Sequence, residues 1–169
     1  MARRAARIGK RTALRLWGRV PRSRVRHAVE WSYTPKFLVD GVGVVFDDRA
    51  RVLLVHHTYK QPFPWGLPGG GMDYGETIEQ TVARELLEEA GAVVRVEECV
   101  RVTTDPERRL IKVYHRCAHQ HQDFRPSAEI DAMGFFEPHA LPADTDPSVA
   151  DLLSTLHGPP LADRMPELE

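Results

Sequence analysis

Residues 70–92 read GGMDYGETIEQTVARELLEEAGA, and the register of this stretch decides the fold. Thr77 followed three residues later by Gln80 is a capping-box pattern, so a helix is expected from about Ile78 to Ala90, stopping at Gly91. Within it Glu85, Glu88 and Glu89 stand at i, i+3 and i+4. That spacing puts three carboxylates on one face, with Cβ atoms roughly 5–6 Å apart. Like charges so close weaken a helix unless something neutralises them, and a divalent cation would do so. Magnesium prefers oxygen ligands, takes few carboxylates and completes its shell with waters and phosphates. The run Gly69-Gly70-Gly71 lies just before the helix, where backbone without side chains can turn tightly and approach a ligand. Such parts can hold a metal against a phosphate chain and activate an attacking water. Acid clusters are more often solvated surface and glycine runs more often plain turns, so the functional reading rests on the whole register.

Outward from this helix, the pattern alternates between sheet and helix. Two strands are expected upstream, 37–46 (FLVDGVGVVF) and 51–57 (RVLLVHH), joined by a turn at Asp47-Asp48. A loop rich in proline and aromatics (YKQPFPWGLP, 59–68) leads into the glycine run, itself expected to be loop. Downstream, strands are expected at 93–104, 109–118 and 132–137. Asp146-Pro147 offers an N-cap and first-turn proline for a closing helix, 147–157. From residue 158 onward the prolines predict an irregular tail. Strands on both sides of a central helix, with a second helix at the end, argue for a mixed-sheet α/β sandwich spanning 37–157.

The 169 residues suit one such domain preceded by a basic arm, 1–36. Arg3, Arg4, Arg7, Lys10, Arg11, Arg15, Arg19, Arg22, Arg24 and Arg26 are ten of the 23 basic residues, and the first acid is Glu30. From residue 27 onward 13 basic side chains face 24 acidic ones, a net of −11. So acidic a body argues against a specific nucleic-acid partner, because duplex binding needs a basic face, and it suits a protein that concentrates divalent cations. Residues 2–20 can form an amphipathic helix with Ala2, Ala6, Gly9, Ala13, Leu16, Trp17 and Val20 on one side, ended by Pro21. The arm is expected to be dispensable for chemistry and to serve association, on a partner subunit as in a homodimer or on an anionic membrane surface. A targeting presequence also fits an Arg-rich, acid-free start. No apolar run approaches the roughly 18 residues that span a bilayer. Cys99 and Cys117 form no CxxC pair and read as reduced, buried thiols of a cytoplasmic protein.

The stretch from Gly70 to Ala92 resembles the signature of the Nudix hydrolase superfamily: Gly, five residues, Glu, seven residues, then Arg-Glu-aliphatic-x-Glu-Glu-x-Gly-aliphatic. Gly70, Glu76, Arg84, Glu85, Leu86, Glu88, Glu89 and Gly91 match. Ala92 departs, being smaller than the usual Val, Ile or Leu, at a position that concerns packing more than chemistry. The flanks, WGLPGGG before and a Phe-Phe strand followed by Leu-Pro after, are similar too, so the likeness covers roughly 37–142. It implies an α/β/α sandwich that hydrolyses a nucleoside diphosphate linked to another moiety, with Mg²⁺ or Mn²⁺. It further implies that Glu85, Glu88 and Glu89 are metal ligands, one doubling as general base. Glu76 would support the loop-helix geometry or coordinate through water, and Arg84 would orient a neighbouring glutamate by a charge-assisted bond. Gly70 and Gly71 would bring backbone against metal and phosphates. Family members often add an acid from a late loop, for which Glu129 is the candidate, with a solvated loop charge as the competing reading.

Other residues carry weaker signals. Strand alternation puts one of His56 and His57 inward and the other outward, and the histidines lack the spacing of a zinc site. No G-x-S-x-G elbow or other nucleophile arrangement is present. Trp65, Phe63, Tyr59 and Tyr74 surround the glycine run and could stack a nucleobase, although loop packing is the stronger reading for Trp65 and Phe63. Arg108, Arg109 and Lys60 could meet terminal phosphates. Pro106 lies where relatives acting on ADP-ribose often carry a proline, and it tips the expectation towards nucleotide sugars over nucleoside triphosphates. A fold-retaining, non-catalytic nucleotide-binding module is the alternative from another class, and the intact Glu85, Glu88 and Glu89 argue against it.

Overall fold

The computed structural model describes residues 31–156. The chain divides into two compact units, 1–36 and 37–169. The expected amphipathic helix and the irregular tail lie outside the described residues. Of the first unit only 31–36 are described, where the Lys36 ammonium donates to the Trp31 carbonyl and sits 4.9 Å from its ring centroid.

In the second unit the described elements run β1 (Leu38–Phe46), β2 (Val52–His57), β3 (Trp65–Gly66), β4 (Gly69–Gly71), α1 (Ile78–Ala90), β5 (Ala92–Asp105), β6 (Leu110–Gln122), β7 (Ile130–Phe136) and α2 (Pro147–Leu156). The strands form one sheet with β3-β2-β1-β6-β5 in order, β4 also pairing with β1 and β7 with β2. Only β1 and β6 run parallel, so the sheet is mixed, as expected. Period-two alternation sorts β1 and β2 onto two faces. Val42, Val44, Val52 and Leu54 meet Val149, Leu152 and Leu153 of α2 on one face. Val45, Leu53 and Val55 meet Val82, Leu86 and Ala90 of α1 on the other. Helix, sheet and helix therefore stack as an α/β/α sandwich.

The placement of α1 is set by what β1 lacks. Gly41 and Gly43 lie on the α1 face, and a Cβ at Gly43 would fall 2.2 Å from Leu86 Cδ1. The missing side chains let the helix sit low on the sheet, where Leu86 is fully buried; burying a leucine contributes about 1.5–3 kcal/mol. The capping box forms as expected, Gln80 N–H donating to Thr77 Oγ1 (3.3 Å) and Thr77 N–H to Gln80 Oε1 (2.8 Å). Gly91 ends the helix with φ 60°, a left-handed conformation that favours glycine. Asp146 Oδ1 accepts from Ser148 N–H at the start of α2.

Several expectations need correction. The glycine run is not loop: Gly69–Gly71 form β4, antiparallel to β1 with Gly41 opposite Gly70. Three residues without side chains show no alternation, so their pairing is invisible in sequence. The two-residue β3 was missed for its brevity. The hairpin β5–β6 is longer than expected, reaching Gln122, because its outer half alternates imperfectly around register shifts at Val93/Val94 and between Val96 and Arg101. Cys99 falls at such an irregularity and is exposed, whereas Cys117 is buried, with its thiol pushed up to about 12 by burial. Among the described residues no helix is long and apolar enough to cross a membrane.

Candidate active site

Arg84 is the centre of the carboxylate cluster. Its Nε donates to Glu76 Oε1 (2.8 Å), Nη1 to Glu85 Oε1 (2.7 Å) and Glu88 Oε2 (3.2 Å), and Nη2 to Glu76 Oε2 (3.1 Å) and the Gly71 carbonyl (2.9 Å). A planar guanidinium with five donors is the side chain able to serve so many acceptors at once. Glu76 also accepts from Thr81 Oγ1 (2.9 Å) and Asp73 N–H (3.1 Å). The Arg84 hydrogen bonds lead in holding its carboxyl down at about 2. Glu76 therefore ties the 71–76 loop to the first turns of α1. Arg84 is itself raised, first by its bonds to Glu76 and then by those to Glu85.

Glu85 and Glu89 face a different environment. The Glu89 side chain is 11 % exposed, and Oε2 accepts from Gly69 N–H at 2.8 Å. Burial pushes its carboxyl up to about 7, the charges of Glu85 and Glu129 adding to the effect while Gly69 N–H and Lys60 oppose it. Burial likewise raises Glu85, against the pull of Arg84. Gly70 must be glycine for this arrangement, since a Cβ there would lie 2.6 Å from Glu85 Oε1. Among the described residues no three His, Cys, Asp or Glu side chains already stand at metal-ligating separation. Glu85 and Glu88 lean on Arg84, and Glu89 on Gly69.

Beside the cluster opens a cleft of about 240 Å³ lined by Asp40, Val42, Tyr59, Lys60, Leu67, Gly69, Gly70, Lys112, Tyr114, Asp146 and Ser148. Two cations and the glycine backbone on its wall suit an anionic ligand, and the aspartates can accept from hydroxyl groups. A larger open groove of about 430 Å³ lies between the β1–β2 turn and α2. It shares no residue with the glycine run that bonds Glu89 and holds neither lysine, so size alone does not mark the site.

The residues expected from sequence divide into two groups. Glu76, Arg84, Glu85, Glu88, Glu89, Gly70 and Gly71 come together around the start of β4 and one face of α1. Glu129 is exposed on the loop before β7, but its carbonyl accepts from Thr58 N–H, and its charge reaches both Glu89 and Tyr59. Trp65 is not in the cleft: its ring packs edge-on against Phe136 (5.0 Å) and His56 (5.2 Å) over the core. Arg108 sits 81 % exposed in the β5–β6 turn beside Asp105, away from the cleft lining, and Asp105-Pro106 forms an ordinary turn capped by Asp105 Oδ1. Lys112, two residues before Tyr114 on the same face of β6, was missed; the alternation of LIKVY was the available signal. Asp40 and Asp146 were missed as site residues because they converge only through the sheet.

The family model described as NUDIX domain matches residues 38–156. Over 104 residues the chain is 33% identical to a MutT-like protein of Streptomyces ambofaciens, covering 62% of this chain and 66% of that protein. Over 76 residues it is 34% identical to an ADP-ribose pyrophosphatase of Methanocaldococcus jannaschii, covering 44% of this chain and 43% of the relative. The chain thus spans between about two fifths and two thirds of these relatives' length. The crystal structure of an ADP-ribose pyrophosphatase from Streptococcus suis superposes with a TM-score of 0.59 at 27% identity, covering 72% of this chain and 92% of that one.

Proposed function

The chain belongs to the NUDIX family, and on that premise we propose that it is a metal-dependent hydrolase cleaving the pyrophosphate linkage of a nucleoside diphosphate joined to another moiety. The observation that carries this reading is the juxtaposition of Glu85, Glu88 and Glu89 with the Gly69–Gly70 backbone and a cleft bearing Lys60 and Lys112. The donor set fits a hard divalent cation, Mg²⁺ or Mn²⁺: all oxygen, few in number, and open to waters and phosphates. Glu85 and Glu89, half-buried and raised by that burial, are carboxylates that a cation would relieve. Glu85, Glu88 and Glu89 would hold it; Glu76, already fully engaged with Arg84, Thr81 and Asp73, would act on the loop instead. Bound there, the cation neutralises phosphate charge and lowers the pKa of a water.

The rest of the chemistry falls to the chain's own groups. Lys60 and Lys112 bind phosphate oxygens, and Arg84 holds Glu85 and Glu88 in orientation. Water oxygen attacks one phosphorus, the bond from that phosphorus to the bridging oxygen breaks, and a carboxylate of the cluster takes the water's proton. Two phosphate-ended products result. The preference for a nucleoside diphosphate carrying a sugar-like moiety draws on two relatives named ADP-ribose pyrophosphatase and on Asp40 and Asp146 as hydroxyl acceptors in the cleft. The test is a panel of diphosphate sugars and nucleoside triphosphates with Mg²⁺ or Mn²⁺. A diphosphate sugar should give the highest kcat/KM, the ratio that measures transition-state discrimination. An oxidised nucleoside triphosphate ahead by tenfold would overturn the substrate assignment, and no turnover on any member would overturn the hydrolase.

A further inference from the structure

At the end of β2, His57 is fully buried beneath the carboxylate cluster. Strand alternation alone would make it a core histidine, but its two ring nitrogens have unlike surroundings. Nε2 lies 2.9 Å from Lys60 Nζ. Nδ1 has no hydrogen-bond partner and stands 3.8 Å from Glu89 Oε1. An ammonium has three donors and no acceptor, so Lys60 can only donate and Nε2 must offer its lone pair. A neutral imidazole then carries its one proton on Nδ1, the nitrogen that faces Glu89.

The local backbone explains how the side chain comes to aim there. The β2–β7 register shifts between His56 and His57, and such bulges re-aim side chains beside functional sites. Just past the bulge Thr58 N–H meets the Glu129 carbonyl, and on the β3 side His57 N–H meets the Pro64 carbonyl. His56 turns the other way, to Asp131 at 2.6 Å. Glu89 Oε2 is already held by Gly69 N–H, leaving Oε1 as the free oxygen. A movement of roughly 0.7 Å brings Nδ1 and Oε1 into hydrogen-bond range.

We infer that His57 is a positioning residue for Glu89: Lys60 fixes the Nδ1–H tautomer, and that N–H holds Glu89 Oε1 while Gly69 N–H holds Oε2. The inference deepens the proposed function, on which it rests only for the role of Glu89 in hydrolysis. The 3.8 Å approach of Nδ1 to Oε1 is there whatever the substrate. Outer partners of this kind typically change activity about 10–100-fold when removed.

Two measurements test it on the full chain. In metal-free, ¹⁵N-labelled protein, the His57 ring should show Nδ1 protonated and Nε2 unprotonated. The tautomer should mix or invert in Lys60→Met, and the Nδ1 proton signal should move in Glu89→Gln. An Nε2–H tautomer in the parent, or a ring signal indifferent to both substitutions, overturns the assignment without reference to any activity. The second measurement uses a substrate that the panel finds to turn over. His57→Asn places an amide N–H near the lost Nδ1–H and should keep kcat within about fivefold of the parent, whereas His57→Gln and His57→Leu should lose about 10–100-fold with KM nearly unchanged. Equal losses in Asn and Leu, or a change confined to KM, would remove the positioning role. If the His57 variants do not fold, the Lys60→Met and Glu89→Gln spectra still decide the question. If nothing in the panel turns over, the hydrolase reading fails while the spectra judge the contact separately.

Discussion

Glu89 should destabilise the metal-free protein at neutral pH, and replacing it with Gln should relieve the strain. Its carboxyl is raised from 4.5 to about 7, chiefly by burial, and the side chain is 11 % exposed. A raised folded-state pKa means that the folded protein holds the proton more tightly than the unfolded chain. Stability from this group is complete below about 4.5 and is lost as pH rises through about 7. By linkage the loss at pH 8 is about 3 kcal/mol, shrinking to under about 1 kcal/mol at pH 5. Glu89→Gln keeps the volume and an oxygen for Gly69 N–H but never carries the charge. In EDTA at pH 8 its thermal midpoint should exceed the parent's, with a ceiling of roughly 6–12 °C for a protein of this size. The gain should largely vanish at pH 5. Mg²⁺ at 100 times its Kd should raise the parent by about 2.7 kcal/mol and the variant by less. Turnover should fall on the order of 10²–10⁴ if Glu89 takes the proton. Calorimetry at the two pH values, with and without Mg²⁺, decides it. A variant no more stable than the parent at pH 8, or a gain of the same size at pH 5, would refute the reasoning.

Three further outcomes follow from the same geometry. Arg84→Lys replaces a five-donor fork by a point charge, so kcat should drop about 10–100-fold. The depressed Glu76 carboxyl should also return towards its ordinary value. Because a depressed pKa contributes stability that is lost only as pH falls from 4.5 towards about 2, acid unfolding monitored by circular dichroism should begin at higher pH in the variant. Gly43→Ala puts a Cβ 2.2 Å from Leu86 Cδ1 in a packed layer, and urea titration should show a loss of about 1–3 kcal/mol. Glu79→Gln lies about 120° round α1 from Glu85 on the exposed side; its kcat should stay within about twofold and its stability within about 0.5 kcal/mol, separating the cluster's effect from general helix damage.

The sequence by itself determined α1, its caps and its carboxylate face. Those follow from spacing along one helix, where residues three and four apart are neighbours whatever surrounds them. It also determined the two-faced strands β1 and β2, because period-two alternation is a local property. Tertiary structure alone decided how the charges are settled. Glu85, Glu88 and Glu89 look equivalent along the chain, but Arg84 takes two of them and burial against Gly69 isolates the third. The pairing of Gly69–Gly71 with β1, which delivers that N–H, leaves no trace in a run without side chains. The cleft draws Asp40 from β1, Lys60 from the loop, Lys112 from β6 and Asp146 from the start of α2. No linear pattern joins these residues, since what brings them together is the parallel β1–β6 pair and the helix packed across it. Trp65 and Arg108 show the converse: both had suitable chemistry near suitable motifs, and the fold points one into the core and leaves the other on an outlying turn.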